Sequence, residues 1–173
     1  MTPDRKRQAF SGTWAVRAEG DAPSPPNALC QTVEAEFPAI MLDPKPLSDV
    51  VIVARFKPIS GSVDRAAGLI FRIKDKNNYY ILRANALENN VNLYKYVDGR
   101  RSGLKDGQAK VAAGQWQELR VEARGQTLRG FLNGQVVVEA SDGTFTAPGG
   151  VGLWTKADSQ TCFDDVEVSV PSA

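Results

Sequence analysis

Histidine is absent from the 173-residue chain. Its absence excludes Ser-His-Asp and Cys-His catalytic machinery, an HExxH zinc site and an imidazole proton shuttle near neutral pH. Cysteine is scarce, and Cys30 and Cys162 alone cannot build a four-thiolate zinc site or hold an iron–sulfur cluster. They lie near opposite ends of the chain, where a bridge would tie the first part of the fold to its last strand. In a domain of this size, however, two cysteines more often remain free core thiols. Charge excess is missing too. Lys and Arg total 21 against 20 Asp and Glu, a net +1 that leaves no global footprint for nucleic acid or an anionic membrane. No apolar run approaches the length of a membrane span, so membrane insertion is not expected. Residues 1–10 are charged and lack the apolar run of a signal peptide. Earlier removal of a leader would leave an exported or periplasmic location open.

A helical period of useful length is also lacking, and short alternating apolar runs separated by Gly, Asn, Asp and Pro take its place. Strands are expected over residues 50–56, 68–74, 79–85, 91–97, 117–124, 128–132, 136–138, 151–156 and 162–170. Asp98-Gly99 and Asn133-Gly134 supply the residues that two-residue hairpin turns prefer. Residues 21–27 contain Pro23, Pro25 and Pro26 and read as an extended loop, because proline cannot join a central ladder. Many short strands at regular spacing imply an all-β, two-sheet antiparallel sandwich or jelly roll. One such domain accounts for residues 1–173, with residues 1–9 as a flexible tail.

Particular segments carry a resemblance. Gly68-Leu69-Ile70-Phe71-Arg72, Asp75 to Tyr80 (DKNNYY) and Arg83 to Glu88 (RANALE) resemble a bacterial group with the concanavalin A-like, laminin-G-like jelly roll. Asn92-Leu93-Tyr94-Lys95, Gly114-Gln115-Trp116, Phe131 to Gly134, Gly152 to Ser159 and Phe163 to Val166 continue the match. Nearly the whole chain is covered, and the group is similar to the 3-keto-disaccharide hydrolase domain family and to sugar-binding jelly-roll modules. The resemblance implies the fold. It leaves three functions open, because this scaffold hosts lectins, glycosidases and pure interaction domains.

Side-chain parity then nominates a surface, since alternate residues of a strand share a face. Leu69, Phe71 and Ile73 should face one side and Ile70, Arg72 and Lys74 the other. Tyr80, Leu82 and Ala84 belong with the core, leaving Tyr79, Ile81, Arg83 and Asn85 opposite, while the parity of residues 91–97 stays ambiguous. Val151, Leu153 and Thr155 alternate with Gly152, Trp154 and Lys156. If these strands are neighbours, Arg72, Tyr79, Arg83, Asn85, Trp154 and Lys156 converge on one open surface, which Lys95 could join. Aromatic faces stack on pyranose rings, and Arg, Lys and Asn bond hydroxyls and carboxylates. The expected ligand is a carbohydrate, with the cation excess favouring an anionic one. Against this, outward charges are commonly solvated. Arg72 or Arg83 could pair with Asp75 or Glu88, and Trp154 could plug a sheet edge. Arg100-Arg101 reads as a solvated hairpin tip.

The first expectation is therefore a non-catalytic carbohydrate-binding or recognition domain without cofactors. Jelly-roll glucanases carry a Glu-x-Asp-x-x-Glu run on one strand, and no such run occurs here. Glu118 and Glu122 flank Arg120, which would hold them ionised rather than suit them to acid work. The resemblance keeps open a 3-keto-disaccharide hydrolase-like enzyme, for which Asp158 is the best-placed base, and an interaction domain with no small ligand. It also implies a structural calcium in some relatives, matched here by Asp164 and Asp165. Adjacent carboxylates on opposite faces serve one ion poorly, so a strand-end hydrogen-bonding role stands beside that reading.

Overall fold

The computed structural model describes residues 7–172. Fourteen strands follow in order: β1 (Gln8–Ser11), β2 (Trp14–Ala18), β3 (Asn27–Gln31), β4 (Ala39–Leu47), β5 (Val50–Ser60), β6 (Ala66–Asp75), β7 (Asn78–Asn85), β8 (Asn90–Val97), β9 (Arg100–Gln108), β10 (Gln117–Arg124), β11 (Thr127–Leu132), β12 (Gln135–Ser141), β13 (Gly149–Trp154) and β14 (Gln160–Ser169). They form two antiparallel seven-stranded sheets, ordered β1-β4-β13-β6-β7-β8-β9 and β12-β11-β10-β5-β14-β3-β2. This is the all-β jelly-roll sandwich. No helix among the described residues is long and apolar enough to cross a membrane. Of the tail expected over residues 1–9, residues 1–6 lie outside the described part and Gln8 and Ala9 pair with β4.

The main core lies between the sheets. Leu69, Phe71, Tyr80 and Leu82 from the first meet Ile52, Phe56, Leu119, Val121 and Phe163 from the second. In β10 buried Leu119, Val121 and Ala123 alternate with half-buried Glu118, Arg120 and Glu122, as a one-sided strand should. β7 and β13 differ, because every one of their residues is buried. The outer face of the first sheet is therefore covered as well, by a second cluster containing Ile70, Ile73, Tyr79, Ile81, Tyr96 and Trp154.

Two hairpins form as their turn residues dictate. Asp98-Gly99 and Asn133-Gly134 take left-handed φ values of 49° and 79°, and 50° and 84°. Such pairs match the twist of the flanking strands. β4 holds Pro44 and Pro46 and gave no strand signal. It tolerates them because β1 pairs only with its Ala39–Met41 end, so their missing N–H groups leave no gap on that edge. Arg72 breaks the expected parity. It sits at φ 48°, where the pairing of β6 with β7 is interrupted between Phe71 and Asp75. The interruption turns Ile73 onto the outer face, not beside Phe71 in the core.

Cys30 and Cys162 are bridged, and the expectation of free thiols fails. Parity and pairing explain it: the two residues face one another across the β3–β14 ladder. Nothing local in a sequence shows which strands become neighbours.

Candidate functional site

Cross-strand register assembles residues of five strands on the outer face of the first sheet. Trp154 stands opposite Gly68, Gly68 opposite Arg83, and Arg83 opposite Asn92. The next rows bring Ile70, Ile81 and Tyr94 together, then Tyr79, Tyr96 and Arg101. Gly68 is needed for the space it leaves, since a Cβ there would stand 3.0 Å from Cε3 of the Trp154 indole.

A stretch of chain before β4 crosses this floor. Ala35 N–H donates to Ala157 O at 3.2 Å, Ala157 N–H to Glu36 O at 3.3 Å, and Thr155 N–H to Pro38 O at 2.8 Å. Thus fastened, Phe37 stacks on Trp154 with centroids 5.8 Å apart and meets Tyr96 edge-on at 5.3 Å. The Arg101 guanidinium lies 4.4 Å from the Tyr94 ring, 5.6 Å from Phe37 and 5.8 Å from Trp154. Lys156 Nζ is 4.9 Å from the Phe37 centroid. Trp154 is 0% exposed in consequence. It is the floor of the site, and half-buried Phe37 and Tyr94 are the rings that reach solvent. Beside Phe37 opens a cleft of about 440 Å³ lined by Glu36, Lys76, Asn77, Tyr79 and Tyr96, among others.

Of the residues that parity nominated, Tyr79, Arg83, Asn85 and Trp154 lie on this face and Lys156 borders it. The first four, however, are sealed from solvent beneath the covering cluster, so they do not form the open surface expected of them. Arg72 and Lys95 do not. The bulge turns Arg72 toward the end of the sandwich, where Nε donates to Ser48 O at 2.7 Å and Nη1 to Phe145 O at 3.0 Å. Lys95 follows the inward parity of Leu93 and reaches Thr144 Oγ1 at 3.3 Å. Asn85 is engaged by Asp64 and Glu88 and by the backbone of Leu87 and Glu88, so it shapes a turn. Arg83 bonds Asn90 and pairs with Glu88 at 3.3 Å, one of the partners foreseen.

Asp158 turns from the face. Its carboxylate accepts the backbone N–H groups of Ser62, Val63 and Asp64 and the Ser62 hydroxyl. Those bonds hold it ionised, far below the usual carboxylate range. A carboxylate so occupied is a poor proton acceptor. Asp164 and Asp165 likewise serve the proline-rich loop. Asp164 accepts Ser24 N–H at 2.7 Å and Asp165 accepts the Ser24 hydroxyl. The left-handed Asp165 backbone, φ 48°, brings both carboxylates to one residue, contrary to the expectation of opposite faces. Three of the four carboxylate oxygens thus accept N–H or O–H donors, the strand-end hydrogen-bonding role that stood beside calcium.

Phe37, Tyr94 and Arg101 escaped the sequence reading. Phe37 lies outside any strand, Tyr94 in a segment of ambiguous parity, and Arg101 beside a turn that suggested solvent. A cationic residue one step into a hairpin beside alternating tyrosines was the available signal.

The electrostatics of the face favour donors. Burial pushes the Tyr79 hydroxyl well above the phenol range, with the neighbouring Tyr96 adding to the shift. Burial and then the charge of Glu36 raise Tyr96. Both phenols therefore stay protonated near neutral pH and neither is a base. Arg83 Nε and Arg101 Nη1 are buried N–H groups without an acceptor, whereas the Trp154 indole N–H has the Tyr79 hydroxyl beside it. Native proteins leave few such groups, and each calls for an explanation.

Comparison with known proteins places the chain. Residues 7–169 match the family described as the 3-keto-alpha-glucoside-1,2-lyase-like domain. A levanase of Bacillus subtilis (strain 168) is 23% identical over 158 residues, which is 90% of this chain and 21% of that protein. The chain thus spans about a fifth of that relative's length. Among solved structures, the carbohydrate-binding module CBM66 from Bacillus subtilis superposes with a TM-score of 0.80 at 22% identity, covering 95% of each chain. A Bacillus licheniformis β-glucanase gives 0.68 at 10% identity, covering 98% of this chain and 95% of that one. At such identities the likeness shows the jelly-roll fold.

Proposed function

The chain belongs to the 3-keto-alpha-glucoside-1,2-lyase-like domain family, and from that premise we propose that it is a non-catalytic carbohydrate-binding domain using the outer face of the first sheet. One observation carries the reading. Unpartnered N–H donors of Arg83 and Arg101 lie among the rings of Phe37, Tyr94 and Trp154. Sugars present an apolar ring face beside a belt of hydroxyl acceptors, so rings interleaved with donors suit them. Phe37 and Tyr94 would take the ring face, and Arg101 would reach the oxygens. The likeness to CBM66 supports the same use of the fold, and Arg101, which forms no ion pair among the described residues, favours a sugar bearing negative charge.

The test is a glycan array followed by calorimetry on the best ligand. Phe37→Ala should weaken binding about tenfold or more, as loss of a stacked ring implies. Chelator should leave binding unchanged. Full affinity in Phe37→Ala would move the site elsewhere, and silence across the array would favour an interaction domain without a small ligand.

Family membership itself favours one second reading, elimination from a 3-keto-glycoside. That reaction needs a base beside the carbonyl-activated C–H. Tyr79 and Tyr96 are held protonated and Asp158 is occupied, so incubation with a 3-keto-glycoside should give binding without turnover. Turnover that Glu36→Gln or Glu88→Gln abolishes would establish the enzyme.

A further inference from the structure

Two guanidinium groups share one phenol ring. The Arg101 carbon lies 4.4 Å and the Arg83 carbon 5.2 Å from the Tyr94 centroid. Rings steady a guanidinium through its face but accept no ordinary hydrogen bond, so its in-plane N–H groups still need oxygens. Arg83 finds two, Glu88 and Asn90, and keeps a buried Nε without one. Among the described residues Arg101 forms no ion pair, and its Nη1 is buried without an acceptor.

Lys156 adds a third cation above Phe37 and pairs with no carboxylate among the described residues. The described acids nearby form no ion pair with Arg101. Glu88 takes Arg83 and Asn85 and is itself 52% exposed. Asp64 takes Asn85, Glu36 borders the cleft beside Phe37 and Tyr96, and Asp106 stands opposite Asn92. Arg101 as a whole is half-buried, so its open side is available to an incoming anion that supplies the missing counter-charge.

We propose that the missing partner is the carboxylate of a hexuronate residue, so that the domain binds acidic polysaccharide, with Arg101 as the carboxylate fork and Lys156 as a second positive charge. This rests on the carbohydrate-binding reading and narrows it to a substrate class. A carboxylate is flat and matches the planar guanidinium fork in two parallel bonds. The uronate's sugar ring supplies the apolar face for Phe37.

The experiment uses uronic acid tetramers (galacturonate, guluronate and mannuronate), each as free acid and as methyl ester, together with neutral and sulfated oligosaccharides. A free acid should bind at least tenfold more tightly than its own ester. Arg101→Gln should abolish that preference, about a tenfold to hundredfold loss for the acid alone. Arg129→Gln, which removes one cation from the opposite sheet, should leave it intact. Melting of each variant checks folding, and the acid-to-ester ratio of the unaltered protein tests the proposal without any variant. Equal binding of acid and ester, or preference for sulfated sugars, overturns the proposal while sustaining the carbohydrate reading. Binding of no glycan at all overturns both.

Discussion

Reduction of the Cys30–Cys162 bridge should lower the melting temperature by about 6–20 °C. The bridge closes a span of 132 residues, for which the chain-entropy relation gives about 5 kcal/mol at 25 °C. Residual compactness in the unfolded chain trims this to about 3–5 kcal/mol. In a domain of this size each kcal/mol moves the melting point about 2–4 °C. The native state should change little on reduction. Leu29 and Gln31 still pair with Phe163 and Thr161 on either side of the cysteines. The sulfurs stay in a small pocket with Ala22, Ala28, Ile59 and Trp116, beside the Glu19 carboxylate. Scanning calorimetry with and without reductant, with free thiols counted, provides the assay. The Cys30→Ala, Cys162→Ala double variant gives a second measure free of reductant. A fully reduced protein melting within about 2 °C of the oxidised one would refute the reasoning. It would mean that the unfolded chain gains no freedom from the broken link. The expected dependence ties full stability to an oxidising environment.

Other consequences follow from single contacts. Gly68→Ala should cost about 1–3 kcal/mol by pressing a methyl group against the Trp154 indole. It should also disturb the near-ultraviolet circular dichroism and weaken sugar binding, whereas an unaltered spectrum would mean the floor yields freely. Arg72→Met should cost about 2–4 kcal/mol by orphaning Ser48 O and Phe145 O. It should leave glycan affinity intact, and lost affinity in a fully folded Arg72→Met would return that residue to the site. Asp158→Ala should destabilise near neutral pH by releasing the turn at Ser62–Asp64. Its folded pKa is depressed, so the stabilisation is complete above the unfolded value of 3.8 and fades as pH falls below it. Urea titrations at pH 7 and pH 3 should show the wild-type advantage shrinking, and an advantage that grows in acid would contradict the assignment.

Much of the fold was legible because its signals are local. Alternation along β10, and the Asp-Gly and Asn-Gly pairs, depend on a few neighbouring residues and the steric rules of the backbone. The same parity placed Tyr79, Arg83, Asn85 and Trp154 on one face. It failed at Arg72, where a left-handed residue and a break in pairing reverse the count, and at β4, whose prolines mask a strand stable only beside its partners.

What the sequence alone determined is the chemistry the protein lacks and the two-residue rhythm that makes it a sandwich. Tertiary structure alone decided which strands meet, and so that Cys30 faces Cys162, that Phe37 crosses the Trp154 floor and that Arg101 leans over Tyr94. The physical reason is the range of the forces involved. Backbone sterics and alternation act over a few bonds, whereas burial and pairing are set by contacts between segments far apart in the chain.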